Sequence, residues 1–401
     1  MKLKFLYFLV FSVCITAIPL KSISGVTTAL SSQNDTATYF TFGGTLTEEF
    51  VDMVLTHDSG YAMVGTTNGY GPGNSSIYLV RADKNGGHIW SSVFGGSVLD
   101  RGSALVELSG GGFMVAGTSN SFSNSDYDGY LCKTDATGNL IWEKVYGGAD
   151  WDFFHDVILL PDSTYIVCGE SYSYSNGGSD ALVMRIDQSG NILWQQHFGD
   201  AGDDLFTDAL FYDSYIYLTG AFEGTDLDGY LVKIDQSGQL LFEKRFNFFG
   251  TDRFNAITVT AASKIIMAGG SIPTDSTNNE FWVQQCDTLG NTGWFLHGIG
   301  YENDILNSAF VKSSGDIIVS GMKNPNGLGQ NSMFTVQCDS AGGSFRSHSF
   351  GGVLDDESYV CIETPQGGLA LCGYTSSYGS GGKDACLVLV DTNAILQDYT
   401  Y

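Results

Sequence analysis

Basic residues are scarce in this chain: 18 Lys and Arg stand against 44 Asp and Glu, a formal net charge of −26. Binding to a phosphate backbone by counterion release needs clustered cations, so nucleic acid and anionic membrane surfaces are poor partners and neither is expected. Long apolar runs are also lacking, apart from one at the start. Residues 1–24 carry Lys2 and Lys4, then FLYFLVFSVCITAIPL, then Ser22 and Ser24. This is the layout of a secretory signal peptide, whereas a membrane anchor needs about 20 apolar residues. Its removal leaves an expected charge of about −29, because it holds three lysines and no acid. No transmembrane segment is then expected, and the protein is expected to be secreted or held at the cell surface.

Catalytic signatures are missing as well. The six histidines have no metal-ligand spacing, and no GxSxG, HExxH, P-loop or EF-hand sequence occurs. Of the eight cysteines, Cys14 falls in the signal peptide, and the other seven contain no CxxC pair. This excludes a small disulfide scaffold. Cys361 and Cys372 flank the turn TPQGGL symmetrically. They leave open a bridge across a hairpin or two buried thiols; the thiols fit better, because other copies of the segment have apolar or small residues there.

What the chain does have is a repeated phrase. Residues 130–152 read YLCKTDATGNLIWEKVYGGADWD, and residues 182–204 read LVMRIDQSGNILWQQHFGDAGDD. Aligned on the central Asp, the phrase recurs at Asp83, Asp135, Asp187, Asp235, Asp287, Asp339 and Asp391, spaced 52 residues apart except for one interval of 48. A glycine keeps the same phase at Gly65, Gly117, Gly169, Gly220, Gly269, Gly321 and Gly373. So does an acid at Glu48, Asp100, Asp152, Asp204, Asp252, Asp304 and Asp356.

Each copy reads as four short strands. In the third they are FFHDVILL, TYIVCGE, DALVMRID and NILWQQHF, all rich in β-branched and aromatic residues and bounded by turn residues. In the phrases DATGN, DQSGN and DQSGQ, Gly138, Gly190 and Gly238 supply the positive φ of a tight turn. Four antiparallel strands per unit of about 50 residues describe a propeller blade, which buries both its faces only between neighbours. The expected fold is all-β: one seven-bladed β-propeller domain over residues 38–401, after a short polar linker at 25–37. The entering segment TYFTFGG matches a fourth strand, and the chain leaves after the third strand CLVLVD. The N-terminal strand is therefore expected to complete the last blade, with the tail ILQDYTY as its competitor.

With blades such as GGFMVAGTSNS followed by DGYLCKTDATGNLIW, residues 38–398 resemble a large family of secreted or surface β-propeller repeat proteins of bacteria, archaea and protists. The resemblance implies a surface or adhesion module. Copies four to six depart from it, the GG pair becoming Gly199-Asp200, Asn247-Phe248 and Ile299-Gly300. The turn and the Trp that follows it, at Trp90, Trp142, Trp194 and Trp294 with Phe242 in the fourth copy, are also distantly similar to the tryptophan-docking repeat of quinoprotein dehydrogenases. That likeness implies that the ring locks neighbouring blades together.

Two sets of residues are candidates for a site. Loops entering first and third strands open on one face, which receives the acid column (Asp100, Asp152, Asp204, Asp252, Asp304 and Asp356, with Glu48) and the acids Asp128, Asp180, Asp228, Glu280 and Asp384. These read either as a calcium or polyol site or as carboxylates bonded to their own loops; the second fits a feature present in every blade. No other cofactor is expected. In the loop after the second strand, Tyr70, Phe122, Tyr174 and Tyr378 stand where other copies have Thr225, Thr274 and Asn326. In a closed ring they form one arc, joined by Trp151, and read as a stacking surface for a glycan or protein or as pins that hold each loop to its blade. Phe248 and Phe249, in FNFFGTDRF, are an apolar contact patch or a turn tucked inward. The function expected is non-enzymatic binding or adhesion, with a glycan or protein as partner at the long-loop face. The alternatives are a propeller enzyme of quinoprotein or glycan-cleaving type, which requires a central pocket with converging carboxylates in unlike surroundings, and a structural scaffold without a small ligand.

Overall fold

The computed structural model describes residues 37–391, apart from 123–125, 176, 249, 275–277, 299–302 and 325–329. Residues 1–24, where a signal peptide is expected, Phe249 and the tail ILQDYTY lie outside the described residues. Within them the chain forms 28 strands, β1 to β28 in chain order, and no helix. The strands pair into seven four-stranded antiparallel sheets, a seven-bladed β-propeller. Each blade begins with its innermost strand: β2 (Glu48–Leu55), β6 (Asp100–Glu107), β10 (Asp152–Leu159), β14 (Leu205–Tyr212), β18 (Gly250–Val259), β22 (Ile305–Val311) and β26 (Asp356–Glu363). Each of these lies against the next, and β26 lies against β2.

Burial is graded outward from the axis. Second strands such as Phe113–Ser119 are buried at every residue, because both faces of the sheet meet a neighbouring blade, whereas the fourth strand Ile192–Phe198 is largely exposed. The core is accordingly divided into clusters that lie between blades; one joins Ile166 and Val183 of the third blade to Phe206 and Leu218 of the fourth. All seven described cysteines are buried free thiols. Cys361 lies opposite Leu371 and Cys372 opposite Val360, so the two thiols do not face each other across the hairpin.

The N-terminal strand closes the ring. β1 (Ala37–Phe42) pairs antiparallel with β28 (Asp384–Val390), from Ala37 opposite Val390 to Phe42 opposite Ala385. A sheet edge that would otherwise be open to another chain is thereby covered.

The glycine column has a steric cause. Every inner strand carries a β-bulge at one phase, the pairing with the second strand skipping Val51, Ser103, His155, Thr207, Asn255, Asn307 and Tyr359. At the bulge the second strand comes so close that a Cβ on Gly169 would lie 1.9 Å from the Phe153 carbonyl oxygen, and one on Gly373 1.8 Å from that of Glu357. Only glycine leaves room for the extra residue.

Tryptophan docking is visible between blades. Gly138, with φ +78°, sits under the Trp90 ring of the preceding blade, and a Cβ there would lie 2.5 Å from it. Trp194 covers Gly238 and Trp294 covers Gly342 in the same way, their indole Nε1 atoms donating to Gln236 O at 3.1 Å and Ser340 O at 3.2 Å. Trp194→Ala removes this contact and the hydrogen bond together. For a half-buried ring we expect a loss of about 2 kcal/mol, read as a lower midpoint in a urea melt.

Candidate functional site

The acid column is buried and bonded to its own loops. Asp100 Oδ2 accepts from Gly96 N at 2.8 Å and from Ser121 Oγ at 2.8 Å, while Ser119 Oγ donates to Oδ1. Asp152 accepts from Gly148 N at 2.9 Å and Ser173 Oγ at 2.6 Å. Asp356 repeats this with Gly352 N and Ser377 Oγ, both at 2.7 Å. Glu48 takes Gly44 N and Gly69 N, Asp204 takes Asp200 N and Glu223 N, Asp252 takes Phe248 N, and Asp304 takes Asn324 N. In five blades, at Glu48, Asp100, Asp152, Asp204 and Asp356, the carboxylate ties the exit loop of one blade to a loop of the next, and Asp252 and Asp304 each hold a loop amide, which accounts for the recurring acid. In the second acid set, burial pushes Asp128 up to about 6, with the Asp152 and Asp126 charges adding to the effect. Among the described residues no group of three or more His, Cys, Asp or Glu is placed to hold a metal ion.

The loop aromatics of the predicted arc turn toward the blades. Phe122 stacks on Tyr130 with centroids 5.9 Å apart, and Tyr70 packs 5.9 Å from Tyr78. The hydroxyls of Tyr174 and Tyr378 donate to Gly147 O and Gly351 O, both at 3.2 Å, so each pins a glycine exit loop. Phe248 also packs inward, stacked on Trp282 at 5.4 Å and edge-on to Phe295 at 5.0 Å. Trp151 differs. It is 48% exposed, against 40% for Tyr174, and no hydroxyl pins it to a loop; it stands edge-on to Tyr127, Phe153 and Tyr172 at 6.1–6.4 Å. The loops entering blades seven, one and two carry exposed Val353, Leu354, Leu46 and Val98, so Trp151 ends an apolar arc over four consecutive blades.

The central channel holds a cavity of 480 Å³ lined by residues of all seven inner strands. Because of the bulges, two successive residues of one strand line it, as His155 and Asp156 do. Three carboxyls, Asp52, Asp156 and Asp208, occupy positions that are Ala104, Ala256, Ser308 or Val360 in the other blades. Their oxygens take backbone amides of their own and the next blade. Asp52 accepts from Met53 N at 2.7 Å and Leu105 N at 2.8 Å, Asp156 from Val157 N at 2.7 Å and Ala209 N at 3.0 Å, and Asp208 from Ala209 N and Ile257 N, both at 2.8 Å.

Burial pushes Asp52 up to about 7, the Leu105 amide opposing it and the Asp156 charge adding to it. Burial also raises Asp156 and Asp208, which share a hydrogen bond, and the Asp156 charge raises Asp208 further. The two carboxyls titrate as one pair, which holds a proton to a pH above the ordinary carboxyl range. Nearer the first acid column, Glu49, Arg101 and Arg253 line the cavity, and His155 Nε2 lies 3.4 Å from Glu170 Oε1. Burial pushes Glu170 up, but hydrogen bonds from His155 and Ser179 and the nearby Arg253 charge outweigh it and hold the carboxyl below its ordinary value.

Most of the acid column stands at the starts of first strands, Glu48, Asp100, Asp152 and Asp356 being the first residues of theirs, and sequence reasoning missed the channel group. The signal was there as asymmetry: four residues after the column acid, three blades have Asp and four do not.

No protein-family model matches this chain. No curated protein matches it. Among solved structures, puromycin hydrolase superposes with a TM-score of 0.54 at 11% identity, over 90% of this chain and 54% of that one, so this chain spans about half its length. The periplasmic gluconolactonase of Pseudomonas aeruginosa gives 0.48 at 13% identity over 86% of this chain and 99% of that one. The Pan2 WD40 domain of Neurospora crassa gives 0.49 at 10% over 86% and 89%. At 11% identity the likeness to puromycin hydrolase shows a shared fold and nothing finer. Among the described residues no helix is long and apolar enough to cross a membrane.

Proposed function

We propose that this protein is a secreted or surface-held glycan-binding propeller that receives a sugar at the channel mouth on its long-loop face. The observation that carries the reading is the half-exposed Trp151, on the loop that leads directly into β10, four residues from His155 in the channel wall. At about 3.3 Å per residue this places an aromatic platform about 13 Å along the strand from the cavity. The cavity is lined by Ser103, Thr207, Asn255 and Asn307; the Thr207 hydroxyl and the two Asn amide nitrogens already donate to backbone carbonyls, so their oxygens are what remains to accept from a ligand. Flat apolar rings beside convergent hydrogen-bonding groups suit a polyhydroxylated ligand. The reading needs no catalytic step: the oxygens of the channel carboxyls are already engaged by backbone amides, which favours binding over glycan cleavage.

A second reading, a protein partner, is favoured by one observation. The arc from Val353 to Val98 is mostly aliphatic, and aliphatic surface serves protein contact better than sugar stacking.

A glycan array with purified protein tests the first reading. Wild type is expected to bind a defined group of glycans, and Trp151→Ala to weaken that binding by about 2 kcal/mol, roughly thirtyfold. Leu46→Ser with Leu354→Ser is expected to leave it unchanged. Loss on adding EDTA would assign calcium a part through the acid columns. Binding that survives Trp151→Ala, or is absent altogether, favours the protein partner.

A further inference from the structure

Building on the glycan reading, on which it rests, we propose that the channel mouth holds the carboxylate of an acidic sugar between Arg101 and Arg253. In this acidic chain the arginines Arg81, Arg185 and Arg245 each pair with a carboxylate, Asp58, Asp162 and Asp200 respectively. Arg101 and Arg253 do not. Among the described residues neither guanidinium has a hydrogen bond or ion pair, and Arg253 Nε is buried without a partner. Both line the cavity, and both stand one residue after the column acid, Arg101 on the second blade and Arg253 on the fifth. They therefore lie at one level of the channel on opposite sides of the ring.

Burial pulls the Arg253 guanidinium down from its ordinary value, and the nearby Glu170 opposes this. An anion accepting from it would relieve both the desolvation and the unpaired donor. A carboxylate does so with two parallel hydrogen bonds, a geometry that a rigid guanidinium fork favours.

The surroundings decide what carries that carboxylate. The bulge residues Ser103, His155, Thr207 and Asn255, on blades two to five, bring a hydroxyl, an imidazole and, with the Thr207 and Asn255 donors already bonded to backbone carbonyls, two acceptor oxygens to the next level down. These suit ring hydroxyls. Asp52 and the Asp156–Asp208 pair lie three residues further along their strands than the arginine level and repel a second negative charge. Glu49 stands at the arginine level on the first blade, which leaves the arc from blade two to blade five for the carboxylate. At physiological salt the remaining surface acids are screened beyond about 8 Å, so the overall charge does not prevent entry of one carboxylate.

The test is calorimetric titration with a glucuronate-terminated disaccharide and its glucose-terminated counterpart, on wild type, Arg253→Gln, Arg101→Gln, Arg253→Lys and Trp151→Ala. Wild type is expected to prefer the uronate by about tenfold or more. Each glutamine variant should abolish that preference by lowering affinity for the uronate far more than for the neutral sugar, and Arg253→Lys should retain part of it, which separates lost charge from lost fold. Trp151→Ala should weaken both sugars alike. Equal affinity for the two sugars in wild type, or a preference that survives both glutamine variants, overturns the proposal while leaving the glycan reading standing. If neither sugar binds but an aspartate-rich peptide does, with the same arginine dependence, the glycan reading falls and the acidic sugar with it.

Discussion

Gly169→Ala is expected to destabilise the protein by about 3 kcal/mol or more, an unusually large effect for adding one methyl group. The new Cβ would lie 1.9 Å from the Phe153 carbonyl oxygen, 2.9 Å from its carbon and 3.0 Å from Phe154 Cα. All three are backbone atoms of β10, so no flexible side chain can move aside. The strand pair must separate at its bulge, and His155 and Asp156, which face the cavity because of that bulge, are displaced with it. The control is Gly110→Ala, where nothing lies within 4 Å of the added methyl. Thermal melts of the two variants should differ widely, with Gly169→Ala far below wild type and Gly110→Ala close to it. Equal melting points would show that the glycine column has some origin other than the bulge.

Stability should fall as the pH rises from about 5 to 8, and Asp208→Asn should flatten that fall. Asp52, Asp156 and Asp208 all have folded-state values above their ordinary ones, chiefly through burial. Between the ordinary carboxyl range and the raised value the folded protein binds more protons than the unfolded chain, so each increment of pH costs stability. For Asp52 the window runs from the ordinary carboxyl value of 3.8 to about 7. The slope is at most about 1.4 kcal/mol per pH unit, so the loss is at most about 4 kcal/mol. The carboxyl still reaches the solvent of the cavity, which keeps the loss below that ceiling.

The turn aspartates act in the opposite sense. Asp135 is held down to about 2 by hydrogen bonds from Asn139 and Thr137 that outweigh its slight burial, and Asp187, Asp235, Asp287 and Asp339 are lowered too. Their contribution is present above the ordinary carboxyl range and is lost as the pH falls toward 2. The two sets together place the stability maximum near pH 4 to 5. Asparagine at 208 keeps a donor toward Asp156 but cannot ionise, so this variant should melt above wild type at pH 8 and level with it or below at pH 5. A wild-type melting point that rises steadily from pH 5 to 8 would contradict the raised channel carboxyls.

Much of the fold was legible because a ring of blades poses the same packing problem seven times. Asp135 and its counterparts recur because each closes a turn, Gly169 and its counterparts because each faces a bulge, and Asp152 and its counterparts because each ties two loops. Ring closure was readable in TYFTFGG, since a fourth strand without its first three belongs to another blade. The channel was not legible, and the bulge is the reason. Strict alternation assigns His155 and Asp156 to opposite faces, but one extra residue per strand turns both toward the axis. The aromatic arc shows a second limit. Phe122 and Trp151 are both large loop rings in neighbouring copies, yet one is stacked on Tyr130 and the other stands half in solvent. They sit on different loops: Phe122 follows a second strand and lies over Tyr130, whereas Trp151 precedes a first strand and meets Tyr127, Phe153 and Tyr172 only edge-on, a difference that no residue type in the sequence reveals.

A crystal structure of the protein with the glycan that binds it most tightly tests the central claim most directly. The account predicts one sugar ring against the exposed face of Trp151 and the terminal ring in the channel mouth, its carboxylate between Arg101 and Arg253. Density for the sugar on the outer strands, or across the Leu46 and Leu354 loops with the channel mouth left to water, would contradict it.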